Sequence, residues 1–534
     1  MHLFPPGGPR PPMSSLPIGY QYIVETYDLL LPPLARPGQT GTVRSVEGES
    51  EAYRTRVLYP QALWPGDSIL DHLRVALRHE GIQPGVMQAL AGKVDMPRLL
   101  VDDAKGGVQP FHRRLAFLHT FVTGEDVPLP PVEDQRYADV ANPRLQFTMA
   151  SGDRNPRYRV RNNLLGTPLF CPQVFRHPAL QRAVEHDPVW GRDSWQGCPP
   201  DIQERVERYL YHQETRASWK IEAETLSARR LQAFVGLLHR AQHKDFLTQA
   251  GLAELHACIL EKDREEACPW RTEQVWVGHV DRQWNPIVNL LGAPPADLPD
   301  LMDGLMACHQ RLSAEGALHP VLHAACIGFP MVYIHPFMDG NGRAHRFLFH
   351  NVLALREYTP PGTLFPLSAW LLNHHRDYIG SMTATCQGIL GMASLANLPD
   401  GSMKVLNDIK VGFQFPDLTS EALSLCRFVK AAVLEELEPN IKFIRDFDVA
   451  RQGLEDLVEW PYPTLAMFIR LCVQNNGTLS RRKRKLEAFR DLPAPLLSRL
   501  ERCVQAAYNL PAPQAELDDL PRVGEPRTLS PGTW

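Results

Sequence analysis

The chain has 534 residues, of which 44% are hydrophobic and 22% are charged, and its formal net charge is -4. These proportions are ordinary for a soluble globular protein of roughly three domains. The overall charge does not require a polyanion or a membrane as a partner, so any such contact would have to be local. Ten cysteines without a Cys-x-x-Cys pair indicate reduced thiols, not a disulfide framework or a zinc knuckle. Without a signal peptide or a membrane-spanning apolar run, we expect a cytoplasmic protein with no membrane contact.

The first 200 residues are predicted to form a flexible lead and an amino-terminal α+β domain. Residues 1–18 carry six prolines and are the predicted Pro/Gly-rich lead. The amino-terminal domain, residues 19–200, has no predicted role. It begins with strands or loops to about Pro60, continues with helices over 68–124, and ends in a proline-rich region. Arginines alternate there, which indicates a solvated strand face, with an anion-binding stripe as the alternative: Arg154, Arg157, Arg159 and Arg161.

The middle of the chain is predicted to be mostly helical. Residues 201–246 precede a domain predicted over 247–397, and one helix is marked by an i, i+3, i+4, i+7 stripe of Leu231, Phe234, Val235 and Leu238. Valines around Gly278 interrupt the helical pattern and predict a short β-hairpin within 271–292. A proline at position 320 opens a helix that leads towards residue 334.

The remainder is predicted to be a helical domain over 400–508 and a disordered proline-rich tail over 509–534. Gly477 is the predicted stop of one helix and Ser480 the cap of the next. The five basic residues Arg481–Lys485 would then lie in a first helical turn, where they oppose the helix dipole. A helix-turn-helix or winged helix with this run facing DNA phosphates is one interpretation, and a solvated basic face on a helical bundle is the other.

The stretch 334–346 combines residue types that suit the phosphates of a nucleotide. His335 has an ordinary pKa near neutrality, so it can accept a proton from an attacking hydroxyl. Because a proline follows, His335 is predicted to have extended backbone geometry. Phe337 is the apolar residue of the loop and a predicted anchor. Asp339 offers carboxylate oxygens of the kind that hold Mg²⁺ together with substrate phosphates.

The second half of the stretch supplies anion-binding groups. Gly340 and Gly342 allow positive φ, so that successive backbone N–H groups can cradle phosphate oxygens, and the Asn341 side chain adds an amide donor. Arg343 and Arg346 can each form forked hydrogen bonds to phosphate oxygens. A helix is predicted to follow, and its amino terminus attracts anions. Together these groups predict phosphoryl or nucleotidyl transfer.

The stretch also resembles the signature His-x-Phe-x-Asp/Glu-Gly-Asn-Gly-Arg-x-x-Arg of the Fic family, and every specified position is filled. The resemblance covers roughly residues 247–397 and is specific at the motif. It implies a mainly α fold, in which a Fic-type helical core carries a short β-hairpin flap near 274–291. The flap of such proteins holds a target segment by strand addition. The α+β amino-terminal region and the helical carboxy-terminal region would flank this core.

The resemblance implies a protein AMP-transferase with ATP and a protein target as partners. His335 would deprotonate a Ser, Thr or Tyr hydroxyl of the target, which could be the chain itself, and Asp339 would hold Mg²⁺ on the α- and β-phosphates. The anion hole and the grip on the distal phosphates would come from Gly340, Asn341, Gly342, Arg343 and Arg346. AMP would pass to the target and pyrophosphate would leave.

An inhibitory element is predicted upstream. Many Fic proteins carry a helix with the pattern Ser/Thr-x-x-x-Glu-Gly/Asn, whose glutamate pairs with the last arginine of the motif. Ser218 and Glu222 match this pattern at i and i+4 of a predicted helix, whereas Ala223 replaces the expected Gly or Asn. The resemblance therefore implies an autoinhibited enzyme in which Glu222 competes with ATP phosphate for Arg346.

Other functions remain open from the sequence. The chain could be a regulatory protein whose Fic-like domain senses a nucleotide and whose run Arg481–Lys485 contacts DNA. It could also be a Fic enzyme that transfers another phosphate-containing group, or one that removes AMP. The region before residue 200 resembles regions of larger bacterial Fic proteins.

Overall fold

The computed structural model describes residues 15–41, 45–48, 55–132, 136–185, 195–261, 270–283, 286–316, 318–398 and 402–510. Most of the predicted lead, up to residue 14, and the predicted tail from residue 511 onward lie outside the described residues. Ile18 is fully buried, and its N–H donates to the carbonyl of Gly38 over 3.0 Å. The end of the stretch predicted to be a flexible lead, at Ile18, is therefore packed into the fold.

The chain divides into two compact units. The first comprises Met1–Gly197 and Glu207–Leu437, and the second comprises Cys198–Val206 and Glu438–Trp534. The division after Leu437 differs from the predicted start of a carboxy-terminal domain at residue 400. The reason is that residues 402–437 pack into the first unit, where Glu421 accepts a hydrogen bond from the Tyr333 hydroxyl over 2.7 Å.

The amino-terminal part of the first unit is α+β. Its helices are α1 (Tyr20–Thr26), α2 (Ile69–His79), α3 (Pro84–Ala91), α4 (Met96–Asp103), α5 (Pro110–Thr123) and α6 (Pro178–Glu185). Its strands are β1 (Gly38–Gly41), β2 (Ser45–Gly48), β3 (Thr55–Pro60), β4 (Ala138–Asp139), β5 (Asp153–Asn155) and β6 (Val160–Asn162). Strand β3 lies between a parallel β1 and an antiparallel β2, and β6 lies between a parallel β4 and an antiparallel β5.

The helices predicted between residues 68 and 124 are present, but α1 was predicted as strand or loop. Ser68 caps α2 by accepting a hydrogen bond from Asp71 N, and Gly124 ends α5 at φ 78°. Helix α1 forms because its residues are fixed by tertiary contacts: Ile23 is fully buried and the Tyr20 hydroxyl donates to Gly81 O over 3.0 Å. Short segments of this kind carry too few residues for a periodic pattern.

The rest of the first unit is a helical core with a hairpin. Its helices are α7 (Pro200–Ile221), which begins in the second unit, then α8 (Ala228–Arg240), α9 (Gln249–Leu260), α10 (Leu298–Glu315), α11 (Pro320–Ile334), α12 (Asn341–Leu355), α13 (Leu367–Asn373), α14 (His375–Met392), α15 (Lys410–Gln414) and α16 (Thr419–Ala431). Strands β7 (Trp276–Val280) and β8 (Pro286–Leu291) form the predicted hairpin, and β9 (Leu395–Asn397) pairs with β10 (Met403–Val405). A π-helical segment, Ala432–Leu437, follows α16.

Helix α11 lies at the centre of this core. Every residue from Val321 to Ile334 is buried, as expected for a helix that is apolar around its whole circumference. Helix α12 packs against it closely because Gly328 has no side chain: a Cβ at that position would overlap the ring of Phe349. The loop between α11 and α12 is therefore held at both ends by buried helices.

The second unit is helical in the residues that the structure describes. It contains α17 (Glu438–Glu455), α18 (Tyr462–Val473) and α19 (Ala494–Tyr508), and no strand that could form a wing within 438–510. The α-helix predicted to begin at Ser480 is wrong. Only a 3₁₀ turn, Lys483–Lys485, forms there, because Leu486 turns to extended geometry at ψ 143°. No helix in the described part of the chain is both long and apolar enough to cross a membrane.

Candidate active site

His335 ends helix α11 at the rim of the loop. Its N–H donates to Met331 O over 3.2 Å, and its φ of 55° is left-handed, so the prediction of extended geometry is wrong. Helix termination outweighs the preference that the following proline imposes. The Nδ1 atom lies 3.1 Å from Val332 O, which places the proton on Nδ1 and leaves Nε2 as the acceptor. Burial, with a smaller contribution from the Arg271 guanidinium, lowers the pKa of His335 to about 4, so the imidazole is neutral near pH 7.

Aromatic packing fixes the position of the loop after His335. Phe337 is buried and its ring stacks on that of His256, with the two ring centroids 4.0 Å apart. His256 Nε2 also lies 3.1 Å from the carbonyl oxygen of Asp339. Gly340 has a φ of 88°, and a Cβ there would lie 2.9 Å from Ile259 Cγ2, so both backbone conformation and space require glycine. These contacts set the direction in which the Asp339 side chain leaves the loop.

The Asn341 side chain stabilises the loop. Its Oδ1 accepts from Phe337 N over 3.0 Å, and its Nδ2 donates to Phe337 O over 2.8 Å. Each end of the amide is thus used within the loop, while Nδ2 keeps a second N–H, so the phosphate-binding role of this amide stays a prediction. The backbone N–H groups of Asn341, Gly342 and Arg343 form the first turn of α12, where α-helical geometry provides no intrahelical acceptor. Anion binding at this end of α12 rests on these backbone groups.

The Glu222 carboxylate lies over this helix amino terminus. Its Oε1 is 2.8 Å from Nη1 of Arg346, whose side chain is only 1% exposed. A Cβ on Gly342 would overlap the same Oε1 atom, so glycine leaves the space that the carboxylate fills. Ser218 completes the contact, since its Oγ accepts from Arg346 Nε over 3.0 Å and its carbonyl accepts from Nη2 over 2.8 Å. The structure thus contains the ion pair that the sequence resemblance predicts.

A second glutamate, which the sequence reasoning missed, binds the other motif arginine. Glu224 receives Arg343 Nη1 and Nη2 in a bidentate pair, both distances being 2.6 Å. Arg343 Nη2 also lies 3.0 Å from Asp339 Oδ1, and the guanidinium lies over the Trp219 ring at 5.3 Å from its centroid. The available signal was position, since Glu224 is two residues after Glu222.

Both glutamates project from a turn and not from the predicted helix. Helix α7 ends at Ile221, one residue before Glu222, and Ala223 has a φ of 56°. The N–H of Glu224 donates back to Trp219 O over 3.2 Å, which closes the helix end. The left-handed residue at this position explains physically why glycine or asparagine suits it better than alanine.

Arg271, also missed by the sequence reasoning, ties the hairpin base to the loop. It is 5% exposed, and its Nε donates to His335 O over 2.7 Å, while its backbone N–H donates to Pro336 O over 2.9 Å. Its Nη1 donates to Glu273 O over 2.6 Å, and its Nη2 donates to Ala293 O. Burial lowers the pKa of Arg271 to about 10. Nothing in the sequence separated this arginine from the surface arginines of the chain.

Comparisons with known proteins agree with the motif. Residues 246–353 match the profile of the Fic/DOC family. The chain carries a Fic domain. In matches of 120 residues each, the chain is 36% identical to a protein adenylyltransferase Fic of Culex quinquefasciatus and 35% identical to one of Aedes aegypti. Each match covers 22% of this chain and 21% of the relative, so the chain spans about a fifth of the length of these relatives.

Solved structures of Fic proteins are also similar to this chain. A Fic family protein from Desulfovibrio desulfuricans G20 is 17% identical, with a TM-score of 0.36, over 58% of this chain and 94% of that one. A Fic domain containing signaling protein from Bacteroides thetaiotaomicron is 18% identical, with a TM-score of 0.36, over 50% of this chain and 96% of that one.

Asp339 fits a magnesium ion held jointly with phosphate. Its side chain is 58% exposed, and its Oδ1 accepts hydrogen bonds from Gly340 N over 2.5 Å and from Arg343. Its Oδ2 makes no hydrogen bond to the described residues, so this is the oxygen with which Asp339 could hold a metal ion. Magnesium in nucleotide sites is commonly bound by one or two carboxylates plus substrate phosphates. Within the described residues, no group of three or more His, Cys, Asp or Glu side chains could hold a metal ion alone.

The hairpin of the Fic domain has exposed apolar side chains on both faces. Val277, Val280 and Ile287 are 49%, 47% and 42% exposed, and Gly278 opposes Val288 after a bulge.

The basic run Arg481–Lys485 is exposed, and Arg484 Nη2 pairs with Glu501 over 3.2 Å. The DNA contact predicted for this run remains a prediction.

Proposed function

We propose that the protein is a Mg²⁺-dependent adenylyltransferase that moves AMP from ATP to a Ser, Thr or Tyr hydroxyl of a protein, possible targets including the chain itself. The observation that carries the proposal is the placement of the His335 imidazole at the loop that opens α12, whose first turn presents backbone N–H groups and two buried arginines. The names of the relatives, which match 21% of their own length, support the same chemistry.

His335 acts as the general base. Its Nδ1 proton is held by the Val332 carbonyl, so Nε2 accepts the proton of the attacking hydroxyl. The hydroxyl oxygen forms a bond to the α-phosphorus of ATP, the bond from that phosphorus to the bridging oxygen breaks, and pyrophosphate leaves with the bond electrons. The lowered pKa of His335 keeps the imidazole unprotonated and ready at neutral pH.

The first turn of α12 and the two arginines bind the phosphates. Backbone N–H groups of Gly342 and its neighbours donate to phosphate oxygens, with the helix dipole adding to the attraction. Arg343 and Arg346 pair with the distal phosphates. Asp339 would hold Mg²⁺, which supplies neutralisation of charge on the α- and β-phosphates when bound.

Glu222 keeps this site inactive in the conformation described. Its carboxylate lies where a phosphate would meet Arg346 and the amino end of α12, so nucleotide must displace it to be held productively. Ser218 supports the inactive state by accepting two further hydrogen bonds from the Arg346 guanidinium. Autoinhibition is thus a competition between two anions for one arginine.

Transfer of AMP can be tested with ATP that carries the label at the α-phosphate or at the γ-phosphate. Wild type and Glu222→Gly are incubated with Mg²⁺, a cell lysate, and α- or γ-labelled ATP. We expect protein-bound label from α-labelled ATP only, more of it in Glu222→Gly, and loss by about 10²- to 10⁴-fold when His335→Ala is added. His375→Ala, which removes an exposed histidine elsewhere, is the matched control. Label from γ-labelled ATP would indicate phosphate transfer, and label that survives His335→Ala would remove the histidine from the reaction.

A further inference from the structure

Arg271 is a buried cation whose side-chain hydrogen bonds to the described residues all go to backbone oxygen atoms. The residue is 5% exposed, and it forms no ion pair within 4.0 Å with any residue that the structure describes. With a pKa of about 10, its guanidinium is charged at neutral pH. A buried charge is costly unless hydrogen bonds compensate for it, so the oxygen atoms around Arg271 hold the guanidinium in one place.

Two of these oxygen atoms lie at the end of α11, the helix that carries the proposed base. Arg271 Nε donates to His335 O over 2.7 Å, and Nη2 donates to Ile334 O over 3.3 Å. The last carbonyl groups of a helix have no intrahelical donor, and a positive charge at the carboxyl end of a helix is favourable. The guanidinium therefore stabilises the end of α11 at the residue whose imidazole accepts the proton.

The other two oxygen atoms belong to the ends of the hairpin. Arg271 Nη1 donates to Glu273 O over 2.6 Å, ahead of β7, and Nη2 donates to Ala293 O, after β8. Four hydrogen bonds from one planar guanidinium thus join both ends of the hairpin to the end of α11. A lysine ammonium is a compact charge on a flexible stem, so it cannot reach all of these oxygen atoms at once.

Gly292 leaves the space that this arrangement needs. A Cβ at this position would lie 2.8 Å from Arg271 Nη2 and 3.2 Å from His335 Cβ. The first distance is too short for a carbon–nitrogen contact, so an alanine would displace the guanidinium from its carbonyl partners. The end of the hairpin, Arg271 and His335 are therefore packed directly against one another.

The motif loop also has supports that do not depend on Arg271. The Phe337 ring stacks on His256, and the Asn341 side chain bonds to the Phe337 backbone. The hairpin ends reach α11 through Arg271 and through the N–H of Ala293, which donates to Ile334 O over 3.1 Å. Loss of the guanidinium should therefore release the hairpin ends more than the loop.

We propose that Arg271 is a positioning residue that holds the β7–β8 hairpin in register with the His335 imidazole. The inference rests on the proposed transfer of AMP and assigns its acceptor class, an extended protein segment that lies along the hairpin. Within the described residues β7 and β8 pair only with each other, so each has an open edge to which a strand can add. Water reaches His335 without the hairpin, so Arg271 controls transfer to proteins and not transfer to water.

Two reactions of the same site separate positioning from general damage. Both use α-labelled ATP and Mg²⁺ in the Glu222→Gly background: protein label in a cell lysate measures transfer to hydroxyl groups, and labelled AMP released without lysate measures transfer to water. In the second reaction the water oxygen bonds to the α-phosphorus, its proton goes to His335, and pyrophosphate leaves with the bond electrons.

Arg271→Lys should reduce protein labelling roughly 100-fold, the cost of a misplacement of about 1 Å, and should change AMP release by no more than about threefold. The ATP concentration that gives half-maximal labelling should stay the same, because the phosphate-binding groups of α12 are untouched. Gly292→Ala should cause the same selective loss, of about tenfold, without altering the arginine. Arg113→Lys is the matched control, since Arg113 is buried and donates to a backbone carbonyl, that of Arg136, away from the site.

The outcomes separate this inference from the proposed function. Wild-type labelling in Arg271→Lys, or equal losses of protein labelling and AMP release in both variants, would overturn the positioning role. Release of AMP no faster than in His335→Ala would contradict the statement that water reaches the base without the hairpin. Protein label that survives His335→Ala would instead reject the proposed function.

Discussion

Arg343 and Arg346 are one turn apart on α12 and equally buried, yet the protein neutralises them differently. Arg346 meets one carboxylate, Glu222, and otherwise neutral oxygens of Ser218 and the Tyr378 hydroxyl. Arg343 meets two carboxylates, Glu224 in a bidentate pair and Asp339. Arg346 therefore keeps the Ser218 and Tyr378 oxygens as hydrogen-bond partners when Glu222 leaves. When Glu224 leaves, Arg343 would instead have Asp339 as its one remaining carboxylate partner among those named.

This difference predicts a regulatory role for the Arg346–Glu222 pair and a structural role for the Arg343–Glu224 pair. Displacement of Glu222 by a phosphate leaves the Arg346 guanidinium oriented by Ser218, so the exchange of one anion for another needs little rearrangement. Displacement of Glu224 changes the surroundings of Asp339, the proposed metal ligand. We therefore expect Glu222 to control activity more strongly than Glu224, although the Arg343–Glu224 pair has the better hydrogen-bond geometry.

Among the residues that contact the two arginines, the largest effect should come from Asp339, the carboxylate shared between Arg343 and the proposed Mg²⁺ site. Asp339→Ala should reduce labelling by α-labelled ATP on the order of 100-fold, since it removes the proposed metal ligand. The rate is measured across a Mg²⁺ titration in the Glu222→Gly background. Asp377→Asn, which neutralises an exposed carboxylate in the first turn of α14, should leave the titration unchanged. Full activity of Asp339→Ala would show that Arg343, and not a metal, is the partner that matters to Asp339.

Glu222→Gln should give the next largest effect, in the opposite direction. It keeps the shape of the side chain and removes the charge that competes with phosphate, so labelling should rise roughly 5- to 50-fold, within the range usual for the coupling of an inhibitory group to a ligand. The concentration of ATP giving half-maximal labelling should fall in parallel. Asp303→Asn, at an exposed position of α10, controls for the change in net charge. No rise in a folded variant would reject competition at Arg346.

Glu224→Gln should raise labelling less, by roughly two- to fivefold, because Asp339 still neutralises Arg343 when Glu224 loses its charge. Since both glutamates lie in one turn, the double variant Glu222→Gln with Glu224→Gln should depart from additivity. A double-mutant cycle on the labelling rate measures this departure. A fall in activity for Glu224→Gln alone would assign this residue to positioning Arg343 and not to inhibition.

The sequence revealed those parts of the site that are contiguous. The residues from His335 to Arg346 fill a loop and one helical turn, so their spacing alone places them together. Glu222 was found because Ser218 and Glu222 match the inhibitory pattern of Fic proteins. Glu224 and Arg271 were missed because their partners lie 119 and 64 residues away, and distant pairing leaves no periodic signal.

The same limit applies to the fold. Long helices with a buried stripe, such as those between residues 68 and 124, were predicted from spacing, whereas α1 and β4, of seven residues or fewer, were not. The strand face predicted from the alternating arginines is present only at Arg154 in β5 and Arg161 in β6. The helix predicted after Ser480 is absent, because the local capping residues do not reveal that the backbone becomes extended at Leu486. The two hydrogen bonds of the Asn341 amide within the loop were missed for a related reason, since their partners are backbone atoms that the sequence does not reveal.

The smallest predicted effect concerns Ala223, the residue at which this chain departs from the inhibitory pattern. Its φ of 56° costs an L-residue roughly 1–2 kcal/mol, and glycine avoids this cost while losing about 0.5–1 kcal/mol more conformational entropy on ordering. Ala223→Gly should therefore stabilise the turn by up to about 1 kcal/mol and lower labelling by at most roughly fivefold. Ala223→Val, which is β-branched and tolerates this conformation less well, should raise labelling instead. Opposite signs at one position tie the activity to the turn that carries Glu222 and Glu224, whereas equal effects of both substitutions would show that the side chain, and not the backbone conformation, matters there.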